Sequence, residues 1–277
     1  VAINLATKFE SKTSDLVKAR RKSKGFTNQD WDWDGVNSIN VYTLTDPTMG
    51  DYDPNGANRY GNPTEVEDTK QTFTLSRDRS WTKTMDKKNK QDTMAVRQPG
   101  KYLAQATKNV LVPEMDTYIF AAINTAGAVY NRDDIVADAA TTASNAYINF
   151  LAINADISDN EAPEEGRVAA MTAAYYNFLK QGGFVLDSDK GQGKLDSGSL
   201  GTVDGVSIVV VPSSRMPANC DLIISHPSVC TAPEKLVDYT LHSNPPGISG
   251  DLLEYRHRYD AFVDVNKIYS VGIHKTA

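Results

Sequence analysis

Residues 71–86, QTFTLSRDRSWTKTMD, constrain the fold most, because they carry a strand pattern with no obvious neighbour to pack on. Phe73 and Leu75 alternate with Thr72 and Thr74, and Trp81 and Met85 stand two positions to either side of Lys83. That period of two marks strands with one greasier face. The expected element is a β-hairpin of Gln71–Ser76 and Ser80–Asp86, turning at Arg77-Asp78-Arg79. An isolated two-stranded ribbon is marginal in water. Before it, residues 46–70 are polar and rich in Pro and Gly, which reads as an ordered but irregular loop; KKNKQD follows it. The ribbon therefore needs a partner from elsewhere.

The order of the other parts is unusual. Residues 1–50 read as an arm: a short amphipathic helix over Lys8–Arg21, the basic run Lys18–Lys24, and a β-leaning stretch at Val36–Thr45. From about Gln91 to Thr125 the pattern is helical, with Leu103, Ala106 and Val110, and then Met115, Tyr118, Ile119, Ala122 and Ile123, set mostly at three- and four-residue steps. Pro99-Gly100 marks a break or a late start, and Pro113 removes a backbone donor and should kink this helix without ending it. At 1.5 Å per residue it would reach roughly 40 Å. A second helix is expected from Asn131, with Asp133 and Asp134 in its first turn. Then come a short buried strand in 166–171, a helix stopped at Gly182-Gly183, and strands in 203–212, 220–226 and 260–275.

An arm, a ribbon and one long helix ahead of any compact core leave more strand edge than a single chain covers. Such edges invite pairing with another chain, so the ribbon's expected partner is another copy, and closed shells need repeated contacts between identical chains. The length, 277 residues, allows one large domain or two modest ones, with an ordinary 40% hydrophobic and 23% charged composition. No run of eighteen apolar residues is present, so no membrane span is expected. The net charge of −6 argues against a protein whose main task is neutralising phosphates. The basic run reads as a solvated arm, or as one held against an acidic neighbour or nucleic acid. Cys220 and Cys230 could form one bridge, but buried free thiols are the simpler expectation.

Candidate active sites fail one at a time. His226, His242, His257 and His274 are scattered, with no metal-ligand spacing. Gly191-Gln192-Gly193-Lys194 lacks the upstream Gly of a phosphate loop and has Leu195 where Ser or Thr belongs. Asp187 and Asp189 open like a calcium loop, but Gly198 stands where its last ligand belongs. Ser213-Ser214-Arg215 follows a strand without the glycine turn of a nucleophile elbow. No nucleophile, base and orienter assemble, so no enzyme and no cofactor are expected.

Three stretches carry a family likeness: PEEGRVAAMTAAYYNFLK (163–180), DGVSIVVVPSSRMP (204–217) and HSNPPGISGDLLEYRHRYDAFV (242–263). It extends to NLATKF at the start, to NRYGNPTEVEDTKQTFTLSRDRSWTKTMDKKNKQD and to VPEMDTY. With these the chain resembles the major capsid proteins of tailed bacteriophages. The resemblance implies an α+β protein of the Hong Kong 97-type fold. Its parts would be an N-terminal arm at 1–45, an extended loop with the β-hairpin at 46–92, a peripheral domain with the spine helix at 93–129 and 241–277, and an α/β axial domain at 130–240. It implies a structural protein that assembles as hexamers and pentamers into an icosahedral head shell around double-stranded DNA, without sequence-specific binding. The implied partners are identical subunits, scaffolding protein and portal, and a decoration protein. The implied location is the virion, after assembly in the host cytoplasm. Inter-subunit contact is expected at Phe73, Leu75, Arg77, Arg79, Trp81 and Met85. Lys70, Lys83, Lys87 and Lys88 are available for an isopeptide weld, but no motif marks one. The alternatives are an encapsulin-like compartment shell, a tail-tube protein and a hydrolase using Ser213 or Ser214.

Overall fold

The computed structural model describes residues 21–28, 30–31, 33, 37–55, 58–92, 99–129, 140–182 and 201–276. They fall into two compact units, residues 32–76 and the remainder. The expected arm helix up to Arg20, the first three residues of the basic run, Asp133-Asp134 and the 187–198 loop lie outside the described residues.

The smaller unit holds β1 (Ser38–Leu44) and β2 (Asp68–Thr74), antiparallel, with Ile39 opposite Phe73 and Val41 opposite Gln71. In the larger unit β3 (Asp78–Asp86) leads into α1 (Lys87–Asp92), α2 (Pro99–Ala106) and α3 (Val112–Val129). Next come α4 (Ala146–Asp159), β4 (Val168–Thr172) and α5 (Ala173–Gln181). The C-terminal strands are β5 (Thr202–Val203), β6 (Val206–Val211), β7 (Cys220–Ser225), β8 (Cys230–Thr231), β9 (Glu234–Ser243), β10 (Gly250–Tyr259), β11 (Phe262–Val263) and β12 (Val271–Lys275).

The expected 71–86 hairpin does not form. β2 takes β1, while β3 lies antiparallel to β10, with Trp81 opposite Tyr255 and Met85 opposite Asp251. The cause lies in the turn. A tight hairpin turn needs Asn or Gly, which accept positive φ, and Arg77-Asp78-Arg79 supplies neither. β10 meanwhile offers nine consecutive register partners to β3. β1 coincides with the β-leaning stretch expected at Val36–Thr45, and Arg77–Asp92 falls in the larger unit.

A five-stranded sheet, β12-β7-β4-β6-β5, forms the centre of the larger unit. β4 and β6 run parallel, as strands connected through a helix such as α5 do. Alternation sorts the side chains to two cores. Ala170, Val211, Ile223 and Ile273 meet Ile119, Phe120 and Ile123 of α3. Ala169, Met171, Leu222 and Ile224 meet Phe150, Ile153 and Ile157 of α4 with Tyr175 and Leu179 of α5. Two glycines set the layer spacing: a Cβ on Gly127 of α3 would meet Ile273 Cδ1 at 2.2 Å, and one on Gly272 of β12 would meet Ile153 Cγ2 at 2.3 Å.

The long helix is real but interrupted. Residues 107–111 make a π turn in which Val112 N–H donates to Thr107 O. This wider turn lies just ahead of Pro113, whose missing donor an unbroken α-helix would need. One extra residue rotates the apolar stripe by about 100°, which leaves Val110 58% exposed although it fitted the expected pattern. The helix expected from Asn131 is not helical over 140–145. There Asn145 Oδ1 accepts from Thr142 N–H and its Nδ2 donates to Ala140 O, side-chain bonds that compete with a helix.

Residues 21–28 are anchored in the larger unit. The buried carboxylate of Asp116 on α3 accepts from the amides of Lys22 and Ser23 and from Arg215 Nη1 at 2.8 Å. Phe26 is fully buried edge-on to Phe120, ring centroids 5.4 Å apart. Asn28 N–H donates to Cys230 O at 2.9 Å. Sequence reading missed the β9–β10 pair, which joins β3 in a three-stranded sheet. Its period-two signal is plain in β10, where Leu253, Tyr255, His257 and Tyr259 are buried and Glu254 and Arg256 exposed. β12, at the end of the expected peripheral stretch 241–277, joins the five-stranded sheet instead of this one.

Candidate assembly surface

The β1–β2 ribbon has one half-buried row, with Ile39, Val41 and Thr43 facing Phe73 and Gln71, and a second row that includes Tyr42 and Leu44. The described residues of the connection between the strands are held by local contacts, not by regular structure. Asp53 N–H donates to Arg59 O at 3.1 Å, Asn55 N–H to the Asp53 carboxylate at 2.9 Å, and Tyr52 meets Tyr60 edge-on at 5.0 Å. Tyr42, Leu44, Met49, Tyr52, Tyr60 and Val66 are all solvent-exposed. They are six of the thirteen exposed large apolar side chains among the described residues, all within residues 32–76. A two-stranded ribbon carrying that much exposed apolar surface is a template for another chain.

The six residues expected at an interface do not share one surface. Phe73 lies in the ribbon, half-buried opposite Ile39. Leu75 is already buried, its amide donating to Asn37 O. Arg77 and Arg79 converge on one oxygen of Glu114 at the start of α3, at 3.0 and 2.7 Å. Arg77 also lies 4.3 Å over the Tyr118 ring and donates to Tyr259 Oη. Burial pushes the Glu114 carboxyl up, but Arg77, Arg79 and Tyr259 outweigh it and hold it below the usual range. Trp81 stacks on Tyr255 at 5.6 Å and meets Tyr102 edge-on, and Met85 is 8% exposed. Within the chain itself Leu75 and Met85 are thus buried and Trp81 is half-buried. Cross-strand stacking on β10 is what covers Trp81.

A second exposed row lies on β9, an edge strand in the sheet order β3-β10-β9. Leu236, Val237 and Leu241 are exposed there, Val237 at 60%. An uncovered edge of this length is a pairing site for another strand.

Three of the four histidines have polar partners. His226 accepts from Ser228 N–H, His242 pairs with Glu254, and His274 bonds Asn149. No group of His, Cys, Asp and Glu suited to a metal ion occurs among the described residues. Ser213 and Ser214 form a 3-10 turn with Arg215. Ser214 borders a groove of about 380 Å³ whose charged members, Arg77, Glu114 and Arg215, are engaged in ion pairs. Cys220 and Cys230 are buried free thiols, and burial pushes the Cys230 thiol up to about 12. No helix among the described residues is long and apolar enough to cross a membrane.

Solved structures share this architecture over the whole chain. A structure from Mycobacterium phage Che8 superposes with a TM-score of 0.78 at 19% identity, covering 99% of this chain and 98% of that one. The capsid structure of cyanophage P-SCSP1u gives 0.76 at 14%, covering 99% and 93%. The mature capsid of bacteriophage PhiM1 gives 0.75 at 14%, covering 99% and 92%. No family model and no curated protein matches the sequence. The fold is the α+β, Hong Kong 97-type fold of phage capsid structures.

Proposed function

We propose that this chain is the shell subunit of a tailed-phage head, a structural protein without catalytic role. Copies would assemble as hexamers and pentamers into an icosahedral shell enclosing double-stranded DNA, with scaffolding protein and portal as assembly partners. The observation that carries this reading is the ribbon unit: two strands and their connection expose six large apolar side chains, Tyr42 and Leu44 on β1 and the other four between the strands, and two strands are incomplete as a free-standing element. The capsid structures that share the fold point the same way. In this reading residues 38–74 are the extended loop laid on a sister copy, α3 is the spine helix, and the five-stranded sheet belongs to the axial domain. The inter-subunit contact centres on Phe73 with Tyr42, Leu44 and Tyr60. The formal charge of −6 fits a lining that encloses DNA without gripping it, because many phosphate contacts would hinder release. Each contact can be modest, since every copy makes several and closure makes them act together.

Negative-stain microscopy of the purified protein, alone and with its scaffolding protein, tests the reading. Closed shells of uniform size are expected. A protein that stays monomeric under every assembly condition would overturn it.

A further inference from the structure

His257 points from the covered face of β10 and is 1% exposed, and neither ring nitrogen has a hydrogen-bond partner among the described residues. Its Nε2 stands 3.6 Å from Glu234 Oε2, a little beyond hydrogen-bond reach. The other oxygen of that carboxylate, Oε1, holds the Arg21 guanidinium. Arg21 opens the segment whose next two amides bind Asp116. One carboxylate thus stands between an anchored N-terminal segment and an unpartnered buried imidazole.

The groups around the imidazole come from every neighbouring element. Tyr259 and Tyr255 flank it on its own strand, ring centroids 4.9 and 6.3 Å away. Arg79 is its register partner on β3 and Val237 on β9. Arg79 is drawn to Glu114 of α3, which also holds Arg77, and Arg21 lies across Glu234. Glu234 is therefore the anion nearest the ring, and the other carboxylate, Glu114, already serves two cations. A neutral imidazole here leaves a buried donor and a buried lone pair unsatisfied, whereas a protonated one has a charged donor to give Glu234.

We propose that His257 is a proton-sensitive latch on residues 21–28: on taking a proton from solvent it draws Glu234 Oε2 into a charged hydrogen bond while Oε1 keeps Arg21. Segment 21–28, β9 and β10 then form one bridged unit. A glutamate carboxylate keeps its charge at the pH where imidazoles take up protons. The latch closes when the imidazole takes up its proton and is lost only when Glu234 itself is protonated. All these contacts lie within one chain, so the inference does not depend on the shell reading.

Hydrogen–deuterium exchange of the full chain at about pH 8 and about pH 5.5, corrected for intrinsic rates, reads the latch in peptides covering 21–28. Exchange in the wild type is expected to slow by about fivefold at the lower pH. His257→Gln and Glu234→Gln should each remove that slowing. Equal corrected protection at both pH values in the wild type would overturn the proposal, and so would full slowing in either variant. If His257→Gln fails to fold, the wild-type comparison and Glu234→Gln decide the matter.

Discussion

The five-stranded sheet and the β1–β2 ribbon meet the same physical demand in opposite ways. The sheet is covered on one face by α3 and on the other by α4 and α5, and most of its inward side chains are fully buried. The ribbon is two strands wide and leaves Tyr42, Leu44 and the aromatic side chains of its connecting loop in water. The stability of the chain therefore resides in the larger unit, and the ribbon's apolar surface is what remains for assembly.

Deletions give the largest effects and the sharpest test of that contrast. Replacing residues 38–74 by a short Gly/Ser linker should leave a cooperative thermal melt near that of the intact chain and abolish closed particles under negative stain. Deleting 78–86 should abolish the cooperative melt, because β10 loses one of its two partners along nine register pairs and Met85 and Trp81 with it. If the first deletion also unfolds the rest, the contrast breaks. Next in size is Asp116→Ala. It leaves Arg215 buried without its counter-charge and two amides without an acceptor, and should cost about 3–5 kcal/mol in urea denaturation.

Packing comes third. Gly272→Ala places a methyl 2.3 Å from Ile153 Cγ2, with an expected loss of about 1–3 kcal/mol. Tyr60→Ser, at a side chain 94% exposed in the ribbon unit, should change the stability of the free chain by less than about 0.5 kcal/mol. The same change should slow shell formation, measured by light scattering. The smallest effect is electrostatic. The Glu114 carboxyl is held below its unfolded value, so its contribution is present above that value and is lost as pH falls through the folded one. Glu114→Gln should lower stability at neutral pH by less than about 1 kcal/mol, given partial solvent screening, and should have no effect in strong acid.

β4 and β7 were legible in the sequence from their apolar, β-branched runs. The strand expected over 260–275, however, is β11 and β12 split by a 3-10 helix at Val265–Ser270, and that expected over 203–212 is the β5–β6 pair turning at Asp204-Gly205. The long helix was legible from its repeat, apart from Val110, which the π turn ahead of Pro113 rotates outward. The ribbon was read one strand out of place. Phe73 and Trp81 both carry the period-two pattern, but alternation says nothing about which strand is the partner. The absence of a φ-positive residue at 77–79 was the available clue. β9 and β10 were missed although the alternation in β10 is clear, since the charged face of Glu254, Arg256 and Arg258 masks it in composition. The role of Asp116 has no local signature, because its partners lie more than ninety positions away in both directions.

The account turns on where the exposed side chains of residues 38–74 go when copies meet. A cryo-electron microscopy reconstruction of the assembled particle tests this directly. It should show Tyr42, Leu44 and Tyr60 covered by a sister copy. A closed particle in which these side chains remain in solvent, with the ribbon touching no neighbour, would contradict the account.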